Sequence, residues 1–171
     1  MQSNVDAIHS VNADMLVFVT SPGYYTYKWV SDYYLDNPLI GDNIVYAWQD
    51  YYKHQNWRNF YKNYEAGNYE LAKQQMEQWF NITAFKMVHA GIAPVIYAET
   101  GWNTNLDIDP VENIVLRDTA AIFEKYEQSW TLWIWWSGQP YDLLESDWYS
   151  LSQYGQVAVE NLASLPEPPI S

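Results

Sequence analysis

A chain of 171 residues without cysteine is long enough for one domain with a sizeable core, and it carries no disulfide framework. Its net charge of −13 argues against nucleic acid or an anionic membrane surface as partner, because either demands a basic patch. No run of about 18 apolar residues marks a membrane span, and the N-terminal MQSNVDAIHSVNADM has no apolar stretch behind a basic start, so no signal peptide is read there.

In chain order, residues 5–11 read as the end of a helix. Residues 15–20 (MLVFVT) form a continuously apolar, β-rich run, and residues 43–48 (NIVYAW) repeat its character. Residues 69–90 carry Leu71, Met76, Trp79, Phe80, Phe85, Met87 and Val88 at helical spacing, which predicts one long helix closed by Gly91. The sequon Asn81-Ile82-Thr83 falls inside that pattern and is read as chance. Residues 94–98 (PVIYA) form a third strand. Asp109 and Pro110 open another helix, as N-cap and first-turn residue, running to about Tyr126. Residues 131–136 (TLWIWW) give a fourth strand and residues 153–162 a last helix. The domain is predicted to span residues 1–163, with residues 164–171 a Pro-rich tail.

Short apolar runs buried on both faces suit parallel strands, and their alternation with helices predicts an α/β fold with crossovers. In such folds the loops after the strands build the site. Here the loops after the first, second and fourth strands are long and aromatic. Ten Trp and sixteen Tyr exceed what this core needs. Those near strand ends are read as the lining of a ligand groove, and a neutral or cationic ligand fits the charge. There is no Gly-rich phosphate loop and no HExxH, and His9, His54 and His89 lack ligand spacing. No metal and no cofactor are expected.

Glu99 follows the third apolar strand directly, an expensive position for a charge unless it is paired or used. With only two Arg and six Lys in the chain, partners are scarce. Around it, APVIYAETGW resembles the seventh strand of glycoside hydrolase family 5, the cellulase-like (β/α)8 enzymes, where a Pro-Val-aliphatic strand ends in Glu followed closely by Gly. VDAIHSVNADMLVFVTSP is similar to the family's fourth helix and fifth strand, with Ala13 in place of a Pro. DNIVYAWQDYY is similar to the sixth strand and its His-x-Tyr motif, with Gln49 at the His position and Tyr51 at the Tyr position. SWTLWIWWSG is similar to the eighth strand and its substrate-floor Trp, here Trp133. The resemblance runs from about Gln2 to Leu162.

It implies the C-terminal four β/α units of a TIM barrel, a half-barrel of parallel strands. It also implies retaining hydrolysis of a cellulose- or β-glucan-type glycan, with Glu99 as nucleophile. Tyr51 would donate a hydrogen bond to that carboxylate, Gln49 would bind substrate in place of the His, and Trp133 would stack under the sugar. Trp102 and Trp29 would extend the stacking surface. The family's acid/base is the Glu of an Asn-Glu-Pro motif after the fourth strand, and this chain contains no such motif. Asp50, Glu145 and Asp147 in strand-end loops are the candidates to replace it. A barrel of about 250 residues is expected for the complete fold. The expected partners are therefore an oligosaccharide or polysaccharide and either an N-terminal half-barrel or a second copy of the chain. Three states fit: a fragment or split gene product, a self-associating half, or a stand-alone half-barrel that binds sugar without turnover. The resemblance also implies secretion.

Overall fold

The computed structural model describes residues 1–20, 28–51, 59–101, 110–132 and 143–163. The elements run α1 (Gln2–Val11), β1 (Val17–Thr20), α2 (Lys28–Asp36), β2 (Ile44–Tyr51), α3 (Asn59–Glu65), α4 (Tyr69–Asn81), α5 (Phe85–His89), β3 (Val95–Gly101), α6 (Pro110–Lys125), β4 (Ser129–Leu132) and α7 (Gln153–Ala163). The four strands form one sheet in the order β1-β2-β3-β4, and every neighbouring pair is parallel. Consecutive parallel strands need crossovers, and helices supply them.

One face of the sheet is dry. Val17, Val19, Ile44, Tyr46, Trp48, Val95 and Tyr97 are buried, together with Tyr34 of α2, Tyr64 of α3, Phe80 of α4, Phe85 of α5 and Phe123 of α6. The packing is largely aromatic. Tyr97 stacks on Phe123 with ring centroids 4.6 Å apart and meets Phe80 edge-on at 5.4 Å. Tyr46 packs on Tyr34 at 4.8 Å. Offset and edge-on ring pairs add about 0.5–1.5 kcal/mol each beyond the area they bury. Among the described residues, several Tyr and Phe and Trp48 are thus buried in this layer. Polar ties fix the helices above it. Asp118 of α6 accepts from the Tyr64 hydroxyl of α3 at 2.9 Å and from Lys73 of α4 at 3.1 Å. Lys86 of α5 pairs with Asp32 of α2.

Three expectations are corrected. The single helix over residues 69–90 is two helices, α4 and α5, parted at Ile82–Ala84. Thr83 is the cause: its hydroxyl donates to the Trp79 carbonyl at 2.7 Å, while its backbone N–H donates to Phe80. That side chain competes for the carbonyl the helix ladder needs. Gly91 does close the second piece, with φ +66°. The helices α2 and α3 lie in stretches read as aromatic loops; their sequences KWVSDYYLD and NFYKNYE owe their order to burial of Tyr34, Phe60, Tyr61 and Tyr64. The fourth strand begins at Ser129, two residues before the apolar run, and β3 continues past Ala98 to Gly101.

Candidate active site on the central strands

β2 and β3 are the central strands of the sheet, and their C-terminal ends carry the sequence-predicted residues Gln49, Tyr51 and Glu99. Up to the pair Trp48–Tyr97 the register is regular; the next pair is Gln49–Glu99, so Ala98 is an extra residue in β3. The β3–β4 register shifts over the same stretch, between Tyr97 and Thr100. This is a β-bulge, in which two residues stand opposite one. It changes which face Glu99 occupies. Regular alternation from Tyr97, whose ring lies on the dry face, would send Ala98 to the opposite face and Glu99 back among the helices. With Ala98 inserted, both Ala98 and Glu99 stand on the face opposite the helices. Burial along the strand agrees: Val95, Tyr97 and Thr100 are buried, and Ile96, Ala98 and Glu99 are half-buried. The bulged carbonyl of Ala98 accepts a hydrogen bond from the Thr131 hydroxyl of β4 at 2.5 Å. A neighbouring strand therefore satisfies a group that a bulge takes out of the ladder.

Glu99 meets Gln49 across the strands. The Gln49 side-chain amide donates to Glu99 Oε1 at 2.9 Å. A hydrogen bond to an ionised carboxylate contributes about 1.5–3 kcal/mol, more than a neutral pair. The donor is a neutral amide, so it orients the carboxylate without cancelling its charge.

The other predicted residues divide. Tyr51 ends β2 opposite Gly101, and Asp50 lies opposite Thr100, but both side chains lie outside what is described. The side chain of Trp29 in α2 is likewise outside, and Trp102, Trp133 and His54 lie outside the described residues altogether. Glu145 and Asp147 sit in the exposed turn before α7. Asp147 is committed to that turn: it accepts from the Ser150 hydroxyl at 2.6 Å and from the Ser150 and Tyr149 N–H groups at 2.8 and 2.9 Å. The Ser150 hydroxyl first, then these backbone N–H groups, hold its carboxyl below the usual range, which disfavours a proton donor. His9 bonds the Met15 carbonyl and His89 bonds Asn81. Asn81 also donates to the Tyr126 hydroxyl at 2.9 Å. Among the described residues no group of three His, Asp or Glu side chains is placed to hold a metal ion, and no helix is long and apolar enough to cross a membrane. Two residues that shape the site, Ala98 and Thr131, carry no signal in the sequence, because each matters only through a neighbouring strand.

By sequence, no protein-family profile and no curated protein matches this chain. By structure, it is similar to a cellulase solved with an inhibitor, at 18% identity and a TM-score of 0.66, over 94% of this chain and 46% of that one. An endocellulase variant from Pyrococcus horikoshii in complex with cellotetraose matches at 17% identity and a TM-score of 0.65, over 94% of this chain and 47% of that one. A beta-glucanase from Saccharophagus degradans in complex with cellotetraose matches at 17% identity and a TM-score of 0.65, over 95% and 45%. The chain spans about half the length of these structures. Its fold is that of half a cellulase-like (β/α)8 barrel, with four parallel strands and their helices.

Proposed function

We propose that this chain is the nucleophile-bearing half of a retaining β-glycan hydrolase, with Glu99 as the nucleophile. The observation that carries the reading is the bulge at Ala98, which turns a carboxylate away from the helices at the C-terminal end of a central parallel strand, in a fold shared with cellulases. Barrel enzymes collect their catalytic groups at that end of the strands.

In the proposed reaction a Glu99 oxygen attacks the anomeric carbon, the glycosidic bond breaks, and a glycosyl-enzyme forms; water then releases the sugar. A second carboxyl about 5–5.5 Å away protonates the leaving oxygen and later activates the water. Asp147 does not fit that role, being held as an anion in its turn. The acid/base is proposed to come from four further β/α units that complete the barrel. Those units would also cover the face that carries Glu99, where Phe18 is 53% exposed and Val45 and Ile96 are half-buried. Tyr51 is proposed as a second donor to Glu99, and Trp133, Trp102 and Trp29 as stacking surfaces for the glycan. A neutral β-glucan suits a chain of net charge −13. Cellotetraose, bound by two of the similar structures, is the natural first ligand to try.

The test is covalent trapping with 2,4-dinitrophenyl 2-deoxy-2-fluoro-β-cellobioside. Its leaving group departs without an acid, so the nucleophile can be assayed without the missing carboxyl. The expected result is one fluoroglycosyl adduct on the peptide containing Glu99, and none in Glu99→Gln. An adduct on another residue, or cellotetraose binding with no adduct, would overturn the reading; the second outcome leaves a sugar-binding half-barrel without turnover.

A further inference from the structure

We infer that Gln49 is a positioning residue that acts through Glu99, not a group that holds the sugar. That Glu99 serves as nucleophile rests on the reading above; that Gln49 fixes its carboxylate does not. The two residues are register partners on adjacent strands, and the amide nitrogen is directed at Glu99 Oε1 at 2.9 Å. Gln49 has a firm base, since Ala47 and Trp48, the residues before it on β2, are 2% and 0% exposed. Its partner has a less regular one. Glu99 follows the bulge, where the ladder is interrupted and the strand twists more strongly. Three features thus act as one device: the extra residue Ala98 sets the face, Thr131 binds the bulged carbonyl, and Gln49 fixes the carboxylate itself. A neutral amide is suited to the last task. A Lys or Arg there would set a positive charge beside the carboxylate, whereas an amide adds a hydrogen bond without adding a charge.

The experiment uses the full chain and has two arms. The first needs no activity. The side-chain amide signals of Gln49 are assigned by their loss in Gln49→Leu. In Glu99→Ala they are expected to shift, and their hydrogen exchange to quicken by about tenfold or more as a charge-assisted hydrogen bond is lost. Signals unmoved by Glu99→Ala would overturn the inference. The second arm is the trapping reaction. In Gln49→Leu the first-order labelling rate is expected to fall by about ten- to a hundredfold, with the concentration for half-maximal rate nearly unchanged. Gln49→His, which can keep a ring N–H donor, is expected to recover part of the rate. A raised half-maximal concentration at an unchanged rate would identify Gln49 as a sugar contact and also overturn the inference. If the wild-type chain binds cellotetraose and takes no label, the nucleophile reading fails, while the amide signals still decide whether Gln49 holds Glu99.

Discussion

The two faces of the sheet are built on opposite principles. On the helix side Tyr46, Trp48, Val95 and Tyr97 are 0–5% exposed and interlock with rings from α2, α4, α5 and α6. On the opposite side Phe18 is 53% exposed, Thr20, Ser129 and Thr131 are exposed, and Val45, Ile96, Ala98, Gln49 and Glu99 are half-buried. Burial of aromatic area is what stabilises a fold of this size, so the helix side holds most of the stability. The other side holds polar groups in defined geometry at lower local density. Apolar rings and polar groups are segregated because a charged carboxylate among rings without a partner would carry a penalty of several kcal/mol.

That contrast can be broken deliberately. The largest effect is expected from truncating the helix-side core. Phe123→Ala should cost about 3–5 kcal/mol in denaturant unfolding, while Ile96→Ala, on the other face, should cost clearly less because its site is already half open. Equal losses would show that the two faces do not differ. Next is Gly155→Ala. An added Cβ on Gly155 in α7 would sit 2.1 Å from the Leu143 carbonyl oxygen. Backbone cannot yield as a side chain does, so α7 should be displaced from the 143–151 segment at a cost of about 1–3 kcal/mol. A thermal melt unchanged from wild type would contradict that contact.

A smaller effect is expected on the open face. Thr131→Val keeps the shape but removes the donor to the bulged Ala98 carbonyl, with an expected loss of about 0.5–1.5 kcal/mol. Its more telling readout is local: amide exchange in β3 should quicken around Ala98 and Glu99 more than around Val95.

The smallest effect lies at the rim of the helix layer. Glu77 of α4 is held below its ordinary value of 4.5, first by the hydrogen bond from Lys125 and then by that from the Tyr126 hydroxyl. A carboxyl whose folded value lies below its unfolded one adds stability that is complete above the unfolded value. That stability is lost as pH falls through the folded value. Glu77→Gln should therefore bring the stabilities of variant and wild type closer as pH drops below about 4.5, with a constant gap above it. The pair is partly exposed, so added salt should shrink the gap.

The sequence alone determined the architecture. The runs MLVFVT, NIVYAW and PVIYA are short, apolar on both faces and separated by helix-length spacers, and such segments have few arrangements open to them besides a parallel sheet with crossovers. It also marked Glu99, because a carboxylate directly after an apolar strand is conspicuous on any reading. It did not reveal α2 or α3, whose order comes from Tyr and Phe side chains meeting the core and not from an apolar period of their own. Nor did it reveal the break at Thr83, where one hydroxyl competes with the helix ladder. The aim of Glu99 was decided by the tertiary structure alone. A bulge is an excess of one residue relative to neighbouring strands, so nothing in VIYAETG by itself says that Ala98 is the extra one. Only when β2 and β4 lie on either side does the register assign Glu99 to the open face and bring it to Gln49.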